Sequence, residues 1–155
     1  MRDISTWSWL GLSFGMLILL GSLTPLLGAA PVPDPCKLIT VAELEQIVGK
    51  LKEGPKPIKE GGQISCDYTV AKDSSWLDIT LHEGNFEQVK KSFGGKNPLP
   101  VPELGKDAFV NSNHEDFSAE LFVKKGDVVL RVSLPKGPAA VEKIKQIAKK
   151  ALPRL

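Results

Sequence analysis

The amino-acid sequence predicts an α+β domain, with an antiparallel sheet of about five strands and three helices packed on it. Segments with apolar residues at helical spacing are interspersed with segments in which apolar and polar residues alternate, which is typical of half-buried strands. Most of the predicted strands are joined by short turns, and short turns favour antiparallel pairing. The expected element order is α-β-β-α-β-β-β-α.

The composition is typical of a globular protein and argues against one class of partner. The chain has 155 residues, which suits one domain, and 42% of them are hydrophobic. Lys and Arg number 20 against 18 Asp and Glu, so the formal net charge is only +2. Nucleic-acid-binding domains usually concentrate positive charge on one surface. We therefore expect no nucleic-acid partner.

Residues 1–30 have the features of a secretory signal peptide. An apolar stretch follows Arg2 and is interrupted by Pro25. Gly28 and Ala30 supply small residues at the −3 and −1 positions of a cleavage site, so cleavage is expected after Ala30. The mature protein would then be periplasmic or secreted.

Two other fates of this segment lead to the same compartment. The apolar stretch approaches the ~20 residues that span a bilayer, so an uncleaved anchor is the alternative, with membrane contact only through this segment. Lipoprotein processing at Cys36 is not expected, because Pro-Asp-Pro at residues 33–35 stands where lipoprotein signals have Leu-type and small residues. All three possibilities place the domain outside the cytoplasm.

The two cysteines of the sequence, Cys36 and Cys66, are expected to form a disulfide. Both lie in a single predicted domain, residues 36–155, which follows a Pro-rich leader at residues 31–35. An even number of cysteines in an oxidising compartment indicates a disulfide, and closing such a loop contributes about 3 to 4 kcal/mol. Two free thiols are the alternative. A redox pair would need Cys-x-x-Cys spacing, and a zinc site would need nearby histidines.

The domain is predicted to begin with a helix and a loop. Thr40 and Glu43 form a capping box at the start of the helix Val41–Val48. Residues 51–62 are rich in Pro, Gly and Lys, so a loop is expected there, with one extended piece around Ile58.

Two strands and a second helix are expected next. Alternating apolar residues predict strands over Gln63–Val70 and 76–82, and they place Cys66 on the core side of the first. Asn85 can cap a helix over Phe86–Phe93, in which apolar residues share one side.

The last third of the chain is predicted to hold three strands. Three prolines indicate a loop over residues 96–105, and a short strand is expected over 107–112. The clearest hairpin spans residues 118–134 and turns at 124–127, where Gly126 can adopt a positive φ.

The hairpin register and the final helix complete the prediction. Pairing Val123 with Val128 keeps the apolar rows of both strands on one face. The last helix is expected to begin at Pro138, which suits the first helical position, and to end at Pro153.

Four motifs occur in order along the chain. They are DPCKLITVAE at 34–43, CDY at 66–68, LGKDAF at 104–109 and LFVKKGDVVL at 121–130. Together they resemble the DUF3558-type domains of exported bacterial proteins, and the likeness extends over the chain after Pro33. The resemblance implies an α+β fold like that of the Mog1/PsbP group, a disulfide between the two matching cysteines, and no established activity. Many such proteins are lipoproteins, whereas this chain lacks their lipid-attachment motif.

The two histidines of the sequence form a candidate metal site. His82 stands beside Glu83, and His114 precedes Glu115 and Asp116. If the two strand ends are neighbours, these side chains could bind a metal ion, which supports a metal-assisted enzyme as one hypothesis. The alternative is that both histidines are solvated turn residues.

A second candidate site is the sheet face opposite the main apolar rows. The residues expected there are Trp76, Phe109, Phe122 and Val129. The hairpin register places Phe122 beside Val129, and apolar residues on that face must be covered. Either a helix covers these residues, or they line a groove that binds an apolar ligand or a protein of the cell envelope.

The leading hypothesis is a non-catalytic, extracytoplasmic binding or interaction module of the bacterial cell envelope. The sequence has no Gly-rich phosphate loop and no His-Glu-x-x-His motif, so we expect no catalytic residues and no cofactor. Besides the metal-assisted enzyme, a third hypothesis is a secreted inhibitor that acts through the hairpin tip at residues 124–127. An inhibitor of this kind needs an aromatic anchor near the tip.

Overall fold

The computed structural model describes residues 32–61, 63–111 and 117–155. The predicted signal peptide and His114 lie outside the described residues. The helices and strands, in chain order, are α1 Val41–Val48, β1 Leu51–Glu60, β2 Gln63–Val70, β3 Trp76–Glu83, α2 Phe86–Phe93, β4 Leu99–Pro100, β5 Ala108–Val110, β6 Ser118–Lys125, β7 Val128–Pro135 and α3 Ala140–Ala151.

These strands form one antiparallel sheet in the order β1-β2-β3-β7-β6-β5-β4. The α+β class and the three helices are confirmed for the described part of the chain. The expected number of strands is too small, because β1 and β4 lie where the sequence predicts loops. The element order is therefore α-β-β-β-α-β-β-β-β-α. No helix within the described ranges has the length and apolar content that a membrane crossing requires.

Strand β1 forms despite residues that usually break strands. It holds Gly54, Pro55 and Pro57, and it lies at the edge of the sheet, where a strand pairs on one side only and proline is tolerated. Two register shifts interrupt its pairing with β2. Gly54 has φ +120°, and a Cβ there would lie 2.7 Å from Tyr68 Cδ1, so only glycine fits.

The main core lies on the face of the sheet that α1 and α3 cover. Its largest fully buried side chains include Leu44, Leu77, Ile79, Leu121, Leu130, Ile144 and Ile147. The predicted disulfide between Cys36 and Cys66 is confirmed, and it joins the 3-10 turn Pro35–Lys37 to β2 across 30 residues of sequence. A disulfide is consistent with an oxidising compartment outside the cytoplasm.

The predicted capping box of α1 is confirmed and extends to the end of the chain. The N–H of Glu43 donates to Thr40 Oγ1 at 3.3 Å, and the N–H of Thr40 donates to the Glu43 carboxylate at 3.0 Å. Arg154 donates from Nη1 and Nη2 to the same carboxylate at 2.8 and 2.9 Å, and from Nη1 to Leu38 O at 2.9 Å. The Arg154 guanidinium and Thr40 together lower the pKa of Glu43 to about 2.

The β6–β7 hairpin has a different register from the expected one. Val123 pairs with Leu130 instead of Val128, because Lys125 continues the strand and pairs with Val128 itself. The turn therefore has two residues, with Gly126 at its first position and a φ of +58°. The shift of two residues preserves the alternation, so the inward face is the predicted one.

Helix α3 begins at Ala140 rather than at Pro138. Ala139, just before it, has a left-handed backbone with φ +59°. The N–H of Ala140 donates to Gly137 O at 3.1 Å, so Pro138 lies in a turn that precedes the helix.

Candidate functional site

Helix α2 covers part of the second face of the sheet and buries a small apolar cluster there. We call this cluster the second core; it consists of Phe86, Val89, Phe109, Phe122 and Val129. The rings of Phe109 and Phe122 stack with centroids 4.9 Å apart, and Phe86 lies 5.7 Å from Phe109. Phe109, Phe122 and Val129 are each exposed by 2% or less, so these predicted groove residues do not line an open groove in this structure. The helix is the element that covers them.

Trp76, the fourth residue predicted for the groove, lies apart from the second core. It is the first residue of β3, it pairs with Thr69, and 47% of its surface is exposed. The end of β3 that pairs with Val129 is the opposite one, at His82. The four predicted residues thus belong to two different environments on one face.

A row of polar residues crosses the second face between Trp76 and the second core. The register places Asp67 opposite Asp78, Asp78 opposite Ser133, and Ser133 opposite Glu120. We call these four residues the polar row. Neighbouring strands lie about 4.8 Å apart, so the row holds three carboxyl groups within about 15 Å on one face.

Asp67 and Asp78 form a close carboxyl pair at one end of the polar row. The pKa of Asp67 is raised, first by its partial desolvation and then by its hydrogen bond to Asp78 and the negative charge of that neighbour. Lys56 on β1 opposes this rise. Asp67 therefore keeps its proton to a higher pH than an ordinary aspartate does.

Asp78 is held in place by two donors on neighbouring positions. Arg131 Nη2 donates to Asp78 Oδ1 at 2.8 Å, and Thr80 Oγ1 donates to the same oxygen at 2.6 Å. Arg131 keeps about a fifth of its side-chain surface, 21%, in solvent, while its Nε is buried and has no hydrogen-bond partner within the described residues. The guanidinium is therefore only partly engaged.

Glu120 anchors the other end of the polar row. Ser133 Oγ donates to its carboxylate at 3.3 Å, and Asn111 Nδ2 approaches the same group at 3.4 Å. The Asn111 amide also bonds the backbone of β6, accepting from Glu120 N at 3.2 Å and donating to Ser118 O at 3.1 Å. These contacts fix Glu120 on the face without adding a positive charge.

His82 is a buried strand residue, so the alternative of a solvated turn residue is wrong for it. Its exposed fraction is 5%, and its ring lies 5.8 Å from Phe93 and 6.4 Å from Phe122. Burial, followed by the positive charge of Arg131, lowers the pKa of His82. His114, its proposed metal partner, lies outside the described residues, so their shared metal site stays a prediction. Among residues 32–61, 63–111 and 117–155, no group of three or more His, Cys, Asp or Glu side chains could hold a metal ion.

The polar row is not among the sites that the sequence predicts. The alternation of apolar and polar residues in the sequence is enough to put Asp67 and Asp78 on the side opposite the main core. What alternation cannot supply is the order of the strands. Ser133 and Glu120 join the row only because β7 pairs with β3 and with β6, far along the chain from β2.

No protein-family model matches the chain, and no curated protein or solved structure is detectably similar to it. The resemblance to DUF3558-type domains therefore rests on the four sequence motifs alone and stays a prediction.

Proposed function

We propose that this domain is a non-catalytic binding module of the bacterial cell envelope, and that it binds a protein segment carrying Arg or Lys through the polar row and Trp76. The observation that carries the proposal is the placement of Trp76 and three carboxyl groups on one side of the sheet. The disulfide and the predicted export signal support the compartment.

The charges of this face favour a basic partner. Asp67, Asp78 and Glu120 lie on this face with two cations near them, Arg131 bonded to Asp78 and Lys56 opposite Asp67, so carboxyl groups are in the majority. A guanidinium can donate two parallel hydrogen bonds to one carboxylate and can stack on an indole ring. Trp76 is half exposed and offers such a ring, and tryptophan is over-represented among the residues that dominate binding energy.

The other two hypotheses have less support in the described chain. An inhibitor acting through the tip at Gly126 needs an aromatic anchor near that tip. The exposed aromatic residues of the described part are Trp76 and Phe117, and the strand register puts both at the opposite end of the sheet. An enzyme that uses His82 and His114 stays a prediction, because His114 lies outside the described residues.

Site-specific photo-crosslinking in the native host tests the proposal. A photoreactive phenylalanine analogue replaces Trp76 in one full-length variant and Val41 in the control, which is 41% exposed and lies on α1 over the other face. We expect a crosslinked envelope protein at position 76 that is missing at position 41. The crosslinked peptide should contain Arg or Lys.

Affinity measurements with the captured protein then test whether Trp76 and charge contribute to its binding. We expect Trp76→Ala to weaken its binding roughly tenfold or more, as for a residue that dominates an interface, and added salt to weaken binding to the unaltered chain. Equal crosslinking at positions 76 and 41, or equal affinity of the W76A variant, would refute the proposal.

A further inference from the structure

A depression at one end of the main face is lined by three lysine residues. It consists of two adjoining cavities of about 260 and 180 Å³, which share Leu134 and Pro138 in their lining. Lys72 comes from the turn between β2 and β3, Lys136 follows β7, and Lys143 belongs to α3. Three separate segments of the chain thus bring a lysine to one depression, which we call the lysine pocket.

The floor of the lysine pocket is apolar. Val70 and Leu134 lie there and are each 5% exposed, and Val48 and Pro138 extend the apolar lining. An apolar group of a ligand would be removed from water on this floor, and such burial is favourable in proportion to its area. The lysine pocket thus combines an apolar floor with a charged rim.

The charges of the rim are available to a ligand. Lys72 and Lys136 are exposed, Lys143 is partly exposed, and none of the three forms an ion pair within the described part of the chain. Asp73, the one carboxylate of the described lining, is already engaged, because hydrogen bonds from the hydroxyl and the N–H of Ser75 lower its pKa. Positive charges are therefore in the majority around the depression, and they attract an anion.

Two residues with an unusual backbone border the lysine pocket. Ser74 and Ala139 are the non-glycine residues of the described chain that have a positive φ, at 55° and 59°, and each one adjoins lining residues. A left-handed backbone is unfavourable for such residues, and it is concentrated at functional sites. Ala139 also precedes α3 without a side-chain cap, so the positive end of that helix adds to the attraction that the lysines provide.

We propose that the lysine pocket binds a small amphipathic anion, in which one carboxylate or phosphate group is joined to a short apolar group. The anionic group pairs with Lys72 and Lys143, and the apolar group packs on Val70 and Leu134. The larger cavity admits a single ring or a short alkyl chain beside the anionic group. The lysine pocket is on the main face and the polar row is on the second face, so either proposal can fail without the other.

Benzoate, benzyl alcohol and acetate separate the contribution of charge from that of the apolar group. The full chain is titrated with each in a phosphate-free buffer, and the backbone amide resonances of residues 70–75 and 134–143 are followed by NMR. We expect saturable shifts with benzoate, and affinities for benzyl alcohol and for acetate that are each lower by roughly fivefold or more, because each lacks one of the two contributions. Added salt should weaken the binding of benzoate and leave that of benzyl alcohol unchanged.

Two variants test the lysines without touching the core. Lys72→Gln and Lys143→Gln each remove one ammonium group from the rim, and Lys150→Gln, at an exposed position of α3 outside the lining, is the matched control. Benzoate should bind roughly three- to fivefold more weakly to K72Q and K143Q than to K150Q, whereas benzyl alcohol should bind all three equally. The proposal is overturned if the shifts with benzoate do not saturate, if benzyl alcohol or acetate binds as tightly as benzoate, or if K72Q and K143Q both bind benzoate as K150Q does.

Discussion

The two faces of the sheet are covered in different ways. The main face carries α1, α3 and the disulfide, and its apolar residues continue along all the long strands except the edge strand β1. Within the described part of the chain, the second face carries one helix of eight residues, which is about 12 Å long. An eight-residue strand is about 26 Å long, so α2 reaches only part of the face.

The side chains of the second face follow the reach of α2. Phe109, Phe122 and Val129 lie under the helix, whereas Asp67 and Asp78 lie beyond it. The same strands therefore contribute to a core at one end and to a row of partly buried charged residues at the other. The difference teaches that both faces hold a core, and that the half-covered face leaves its charged residues partly exposed, as the proposed binding requires.

Truncating the second core should produce the largest effect. Phe122→Ala removes a fully buried ring, so we expect a loss of about 3 to 5 kcal/mol in the free energy of unfolding, measured in urea. The matched comparison is Leu121→Ala. Leu121 directly precedes Phe122 in β6 and belongs to the main core, so this change should cost about 2 to 5 kcal/mol. A loss below about 1 kcal/mol for F122A would mean that α2 does not seal its half of the face.

Removing the disulfide should have the next largest effect. In the Cys36→Ser, Cys66→Ser double variant we expect the free energy of unfolding to fall by about 3.5 kcal/mol, because a 30-residue loop is no longer closed in the unfolded chain. The same measurement on the unaltered chain with a reductant is the control. If both treatments leave the urea midpoint unchanged, the disulfide does not stabilise the main face.

The stability of the covered half of the second face should depend on pH. The pKa of His82 is lowered below its ordinary value of 6.5 in the folded chain, so the unfolded chain takes up a proton first as the pH falls. The contribution of the neutral imidazole is complete above about pH 6.5 and is lost as the pH drops through the lowered value.

Measuring thermal unfolding from pH 8 to pH 5, with His82→Phe as the comparison, isolates this contribution. The variant should show a flatter profile over that range. Asp67 has a raised pKa, but it is present in both chains and cancels in the difference. Identical pH profiles for the two chains would contradict the burial of a neutral His82.

Trp76→Ala should have the smallest effect on stability. The side chain is half exposed and lies outside both cores, so we expect the free energy of unfolding to change by about 0.5 kcal/mol or less. Phe122→Ala serves as the positive control in the same urea series. A loss above about 1.5 kcal/mol would show that Trp76 is structural, which would remove it from the proposed binding surface.

Local patterns predicted much of the fold. The capping box of Thr40 and Glu43 located α1, the apolar spacing located α2 with its observed bounds, and strict alternation located β2 and the face of Cys66. Each of these signals comes from residues that are close together in the sequence. They remained valid because the tertiary contacts agree with the local preferences.

The remaining features depend on contacts that are distant in sequence. Gly54, Pro55 and Pro57 indicate a loop when taken alone, and only the edge position of β1 makes a strand possible. The burial of His82 depends on Phe93 of α2, and the polar row depends on the pairing of β3 with β7. Alternation shows which residues share a face, but it cannot show which strands are neighbours or how far a helix extends over them.

The contacts of Arg154 with Glu43 and with the carbonyl of Leu38 also determine when the N-terminal turn can fold fully. The first helix acquires this partner only after a further 111 residues have been synthesised, so the N-terminal turn of the domain cannot close fully on a partly made chain. The final arginine therefore stabilises the N-terminal turn only once residue 154 has been synthesised.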